Sequence, residues 1–392
     1  MTGQSSGIEK AYLNNAATSY PKPPSVAEAV YAALQRLPGA ANRGGIDDFD
    51  VMGTVRQRLA PVLGVADSSR IALGPNATWA LNLAVFGLGL RAGDWVVTTK
   101  AEHNSVLRPL YALKKERGVE IIYIDTDRDG LVLTDDWEEQ ISFHRPRLCV
   151  FSHASNVTGA VNDASRLTAI ARGNRALTLI DLAQTLGWVD VRLEAWGADL
   201  AAFTGHKYLL GPQGIGGLYV RGGLELRPHL VGGTGIHSEL DTMPPDMPLR
   251  LEAGTGNEPS AHGLLAALAW AAQNPLDAGE RDRVSREVEF LRTALLRLRC
   301  KVANPDPSGP CTPVISFSVE GMSANDVGGL LLDCYDIIVR TGLHCAPRVF
   351  ECLDFDPSAG TVRASLSRFT THEEVVALIE AVKDIIASGC AS

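Results

Sequence analysis

The sequence predicts an α/β protein built on a mostly parallel sheet, with a second, smaller α+β unit. Three observations carry this. Short apolar runs alternate with helix-patterned stretches from Ile71 to Val220, which is the pattern of βαβ units. The alternation breaks over residues 223 to 262, where Gly, Pro and Met accumulate, and a different mix of helices and strands follows. At 392 residues the chain is also too long for one small core. The expected division is residues 21–260 for the large unit, with 1–20 and 261–392 forming the small one.

Taken in order, residues 11 to 25 hold small residues and prolines and read as a fixed coil. Ser25 is the expected N-cap of a helix to about Leu37. A Gly-rich loop follows at 38–48, then a helix from Phe49 to Leu63. Strands are expected at Ile71–Leu73, Trp95–Thr99, Val119–Ile124, Leu148–Ser152, Leu177–Ile180, Leu200–Phe203 and Gly216–Val220. Helices are expected at Trp79–Leu88 and, after the turn Ala101–Ser105, to about Arg117. In the C-terminal part, helices are expected at Ala261–Gln273, Glu280–Arg299, Ala324–Cys334 and His372–Ile386, the last capped by Thr370 or Thr371. Strands are expected at Val314–Val319, Ile337–Arg340 and Thr361–Ser365.

Composition narrows the function. The chain is 45% hydrophobic and 21% charged, as soluble globular proteins are. The net charge of −9 and the lack of any basic run argue against nucleic-acid binding and against a polybasic membrane face. No apolar stretch nears the ~20 residues of a spanning helix, and the N-terminus lacks the regions of a signal peptide. The cytoplasm is the expected compartment. The seven cysteines have irregular spacings and form no C-x-x-C pair. A zinc site or disulfide framework is therefore not expected, and most thiols should be inert.

Ligands in such sheets gather at the carboxyl ends of strands, and here those ends carry the unusual polar residues. Lys207 lies on the Gly-rich turn between two apolar runs. It is either a surface lysine on a hairpin or an amine whose pKa is lowered by desolvation for bonding to a carbonyl. Ala77 and Thr78 begin a helix, where free N–H groups and the helix dipole suit a phosphate as well as an ordinary cap. His103 follows the strand WVVTT, either to stack on a flat ring or to cap a turn. Asp181 ends an apolar run with Gln184 three residues on. A buried carboxylate needs a partner: Asp181 is either an ordinary helix N-cap or the partner of a protonated ring nitrogen such as that of pyridoxal phosphate. Together these make a set: Asp181 for the ring nitrogen, Gln184 for the phenolic oxygen, Thr78 and His206 for the phosphate, and Lys207 for the covalent link.

With YLNNAATSYPKPP, AEHNS, SNVTG, IDLAQ, TGHKYLLGPQGIGGLYV, EAGTGN, VRTGLHCAP and VRASLSRF in this order, the chain resembles the cysteine desulfurases of the class V aminotransferase group. The resemblance runs from about residue 11 to about residue 380. It implies the type I fold of pyridoxal-phosphate enzymes and a homodimer. It implies that Lys207 tethers the cofactor, His103 stacks on its ring, and Asp181 and Gln184 contact its nitrogen and phenolic oxygen. Ala77, Thr78, Thr204 and His206 then surround the phosphate, and Gly254 and Thr255 reach the phosphate of the partner subunit. Asn156, Arg340 and Arg363 belong to the substrate side, Asn156 and Arg363 holding the α-carboxylate, for which the guanidinium fork is suited.

Cys345 matches the thiol that takes sulfur from the substrate, and the compact RTGLHC spacing looks like the Suf-type subgroup. Arg340 and His344 are the expected groups to help ionise it. Cys352 is either a second acceptor of sulfur or a free loop thiol. The implied reaction converts L-cysteine to alanine and leaves a persulfide on Cys345 for an acceptor protein or small thiol. Selenocysteine lysis with L-selenocysteine, or transamination without thiol chemistry, is the alternative; a cofactor-fold scaffold without activity is a third. The chain departs from the pattern at Trp79, where many relatives carry Glu, at Ala77, where some have a hydroxyl, and in ANRGG at 41–45, which lacks a His. Residues 348–360 are particular to this chain.

Overall fold

The computed structural model describes residues 10–36, 49–305 and 309–389. In chain order these form β1 (Ala11–Tyr12), α1 (Pro24–Gln35), α2 (Val51–Leu63), β2 (Ile71–Gly74), α3 (Ala77–Gly87), β3 (Trp95–Thr99), α4 (Asn104–Arg117), β4 (Glu120–Ile124), α5 (Thr134–His144) and β5 (Leu148–Ser152). There follow α6 (Ala164–Gly173), β6 (Leu177–Asp181), α7 (Leu193–Trp196), β7 (Leu200–Thr204), β8 (Gly216–Val220), α8 (Glu258–Gln273), α9 (Ala278–Arg297) and β9 (Lys301–Ala303). The chain ends with β10 (Val314–Ser318), α10 (Ala324–Tyr335), β11 (Ile337–Ile338), β12 (Arg340–Gly342), β13 (Thr361–Ser365) and α11 (His372–Gly389).

Seven strands make the large sheet, in the order β2-β8-β7-β6-β5-β3-β4. Only β8 runs against its neighbours. It is the return strand of a hairpin, so the turn carrying Lys207 is pinned at both ends by ladder hydrogen bonds. Helices cover both faces, which explains why the strands read as continuous apolar runs. One core holds Phe151, Ile180 and Phe203 with α2, and the other holds Val150, Leu179 and Leu218 with α3 and α4. A four-stranded antiparallel sheet, β12-β13-β10-β9, forms a separate core with α9, α10 and α11 around Phe317, Leu331 and Leu378.

Several expectations need correction. Residues 11–25 are not all coil: β1 pairs in parallel with β11, and Ala11 and Leu13 are buried in the smaller core. Ser25 does not cap α1. The helix starts at Pro24 and has no side-chain cap, since a proline at the first helical position comes with its φ preset. The strand expected at 337–340 splits, β11 pairing with β1 and β12 with β13. Helix α8, expected in the smaller unit, buries Ala261, Leu264 and Leu268 in the large core. Thr371 caps α11 through a reciprocal pair of bonds with Glu374. The expected loop at 38–48, with its ANRGG stretch, lies outside the described residues.

Candidate active site

Five strand ends of the large sheet open into one cavity of about 210 Å3. Its walls include Ala77, Thr78, His103, Asn156, Asp181, Gln184, Thr204, His206 and Lys207, joined by Arg340 and Arg363 from the small sheet. Parallel register aligns these ends: Ser152 lies opposite Asp181, and Asp181 opposite Ala202.

Asn76, not Thr78, caps α3, accepting the Trp79 N–H at 2.9 Å. This leaves the Thr78 hydroxyl free to meet the Ser105 hydroxyl at 2.8 Å. The Trp79 ring lies over Gly74, where a Cβ would collide with it. The tryptophan is thus a packing residue outside the cavity wall. His103 caps α4: its Nδ1 accepts the Ser105 N–H at 3.1 Å, so the remaining ring proton sits on Nε2. Burial lowers its pKa to about 4 and the ring is neutral.

Lys207 is partly buried and lines the cavity. Burial lowers its pKa to about 8, while Asp181 opposes that shift and Arg363 and Arg340 add to it. Burial raises the pKa of Asp181, against a 2.8 Å hydrogen bond from the Ala183 N–H. Buried Arg363 donates to the Asn156 carbonyl at 2.9 Å and to Asn14 Oδ1 at 3.3 Å. Burial lowers its pKa to about 9. Glu102, the fully buried residue that precedes His103, accepts from Thr99 Oγ1 at 2.6 Å and from the Ser152 hydroxyl and N–H at 2.7 and 2.9 Å.

Four cavity residues present buried polar atoms with no protein partner: Gln184 Oε1, Thr204 Oγ1, His206 Nδ1 and Arg363 Nε. Orphaned groups of this kind cost stability unless something else bonds them. A phosphorylated pyridine aldehyde fits three of them: His206 and Thr204 beside the open end of α3 suit the phosphate and Gln184 a phenolic oxygen, while Asp181 suits a ring nitrogen and Lys207 the aldehyde.

Cys345 stands beside the cavity rather than in its wall. Arg340 Nη2 lies 2.9 Å from its Sγ. The thiol is held in place by its backbone. Gly342, His344 and Cys345 all have positive φ, of 94°, 52° and 61°. The Cys345 carbonyl accepts the Asn104 N–H at 2.7 Å, and the His344 carbonyl accepts from Asn156 Nδ2 at 2.7 Å. Residues 347–353 add a small core, in which Val349, Phe350 and Leu353 pack with Ala101 and Val157. His344 does not assist the thiol as expected. Its Nε2 meets Thr361 Oγ1 at 2.8 Å, and burial drives its pKa to about 2, so it carries no charge to offer. Cys352 is a free thiol whose Sγ accepts the Thr126 N–H at 3.5 Å.

The structure does not bring Gly254 and Thr255 to the cavity of their own chain; both are exposed. It adds Ala16, Asn76, Ser105 and Ser152, which the sequence did not single out. Ser105 was within reach, two residues beyond His103 in the same turn. Ala16 was not, because it arrives from the N-terminal segment and accepts Gln184 Nε2 at 3.1 Å across 168 residues of chain.

A model of the aminotransferase class-V family matches residues 11–378. A probable cysteine desulfurase of Methanothermobacter thermautotrophicus is 31% identical over 393 residues, covering 97% of this chain and 96% of the relative. A cysteine desulfurase of Salmonella dublin is 32% identical over 388 residues, covering 95% and 92%. Among solved structures, the apo cysteine desulfurase of Thermococcus onnurineus NA1 superposes with a TM-score of 0.87 at 31% identity, covering 97% of this chain and 95% of that one. The cysteine desulfurase CsdA of Escherichia coli, an S-sulfonic acid form, gives 0.86 at 26% identity, covering 98% and 97%.

Proposed function

This chain belongs to the aminotransferase class-V family, and we propose that it works as a pyridoxal-phosphate-dependent cysteine desulfurase. L-cysteine is the substrate, alanine one product, and sulfur the group transferred. The observation that carries this is the meeting at one cavity of Lys207, Asp181 and Arg363, with the Arg340–Cys345 pair at its margin.

Bound pyridoxal phosphate supplies an electron sink for the substrate's α-carbon. The chain's own residues do the rest. Lys207 would tether the group through Nζ, and once the substrate amine has displaced it, the freed Lys207 amine, whose pKa burial lowers to about 8, would take a proton from the substrate. Asp181 holds a proton on the ring nitrogen, and its burial strengthens that pairing. Neutral His103 offers a flat face to the ring. Arg363 and Asn156 bind the α-carboxylate.

Cys345 Sγ attacks the substrate sulfur. An S–S bond forms, and the C–S bond breaks with its electron pair left on carbon, where protonation gives alanine. The enzyme keeps a persulfide on Cys345, and Arg340, with Nη2 at 2.9 Å, holds the attacking sulfur in place. An acceptor protein or small thiol removes the sulfur by exchange. We further propose a cytoplasmic homodimer in which exposed Gly254 and Thr255 serve the partner's cavity. Among the described residues no helix is long and apolar enough to cross a membrane.

The test is alanine production from L-cysteine under a thiol reductant, with wild type, Lys207→Ala and Cys345→Ser side by side, and L-selenocysteine as a second substrate. Wild type is expected to form alanine from L-cysteine and both variants to lose it. Absence of alanine from the wild-type protein loaded with cofactor sinks the assignment. Full activity of Cys345→Ser with L-selenocysteine but none with L-cysteine redirects the thiol's role to sulfur alone.

A further inference from the structure

Four donors converge on one backbone oxygen, the carbonyl of His206. They are the Ser19 N–H at 3.0 Å, Thr18 Oγ1 at 3.1 Å, Ser19 Oγ at 3.2 Å and Lys22 Nζ at 3.2 Å. A carbonyl has lone pairs for two, so this oxygen is held more firmly than chain geometry needs. It belongs to the peptide that joins His206 to Lys207. The Lys22 ammonium also donates to Ser19 Oγ at 2.9 Å, tying two of the donors together.

Lys22 is an unusual residue for such a place. It is half-buried, and burial lowers its pKa to about 8 with no carboxylate among the described residues opposing the shift. Lysines left in this state are rare, because the cost of desolvation is not returned by a partner. Pro21 and Pro23 flank it, which restricts the backbone on both sides. The segment that carries it is itself anchored far away. The Asn15 N–H and Nδ2 both reach the Ser365 carbonyl, at 3.2 and 2.9 Å, and the Ala16 N–H reaches Ser365 Oγ at 2.9 Å. Ser365 ends β13, the strand of Arg363.

We propose that Lys22 is a positioning residue for Lys207: with Thr18 and Ser19 it clamps the His206 carbonyl and so sets the Lys207 amine against the cavity. The clamp links the strand that carries Arg363 to the turn that carries Lys207, through one short segment. The inference rests on Lys207 being the cofactor lysine.

The test is the rate at which apoprotein captures an aldehyde at Lys207, trapped by borohydride and read by peptide mass. Phosphate-free pyridoxal and pyridoxal phosphate are used in parallel, with wild type, Lys22→Met and Lys22→Arg. A displaced amine should slow capture of both aldehydes by about tenfold in Lys22→Met, leaving their ratio unchanged, and Lys22→Arg should restore it within about twofold. Equal rates in wild type and Lys22→Met overturn the proposal. So does a loss confined to pyridoxal phosphate, which makes Lys22 a phosphate ligand instead. Thr18→Val, which removes one donor and keeps the shape, serves if Lys22→Met does not fold, and must slow both aldehydes. Capture by wild type at a site other than Lys207 is a different failure, since it removes the cofactor assignment itself.

Discussion

Arg340 Nη2 lies 2.9 Å from Cys345 Sγ, and the same arginine lines the cavity that holds Lys207. One guanidinium thus touches both the Cys345 thiol and the cavity of Lys207. A guanidinium N–H at this distance fixes where the sulfur points. Replacing Arg340 with Met removes that contact and should lower alanine formation from L-cysteine by about tenfold. Alanine formation at the wild-type rate would show that the contact is not used.

Lys207 sets a pH dependence. Its amine is protonated below a pKa of about 8 and nucleophilic above it. Capture of pyridoxal phosphate by apoprotein should therefore fall about tenfold per pH unit below that value and level off above it. A rise continuing toward the ordinary lysine range would mean that the amine is not desolvated. Stability follows the same sign. The folded pKa lies below the unfolded one, so the unfolded chain binds more protons between the two values, and this group makes the fold more stable as pH rises through that window.

Arg363 is buried and donates to Asn156 and Asn14 while its Nε has no protein partner. Lysine cannot reproduce the fork. Arg363→Lys should raise KM for L-cysteine by about tenfold or more, with a smaller change in the absorption of bound cofactor. An unchanged KM would place carboxylate binding elsewhere.

Phe350 is 2% exposed in the small core behind Cys345. Its replacement by Ala should cost about 3 kcal/mol in denaturant unfolding and lower turnover as the thiol segment loosens. Turnover unchanged despite the lost stability would show that the segment's rigidity is not used in catalysis.

The sequence exposed the parts of this molecule whose causes are local. Apolar runs such as Leu148–Ser152 coincide with strands because both faces of the sheet are covered. The Lys207 turn was visible because a charged residue between two buried strands is out of place. Helices α5 and α6 went unread, although Trp137 and Ile141, and Leu167 and Ala171, bury the i and i+4 positions of each. What no local pattern carries is contact over long separations: Ala16 against Gln184, the four donors on the His206 carbonyl, and β1 paired with β11. The neutrality of His344 was also hidden, since it depends on burial by residues distant in sequence.

The central claim is that Cys345 takes sulfur from L-cysteine. The direct measurement is mass spectrometry of the cofactor-loaded protein after a single turnover without reductant, with peptide mapping and alanine counted in the same sample. One added sulfur atom on the peptide containing Cys345, matched one for one by alanine, is the predicted result. Alanine formed in full while that peptide keeps its unmodified mass would contradict it.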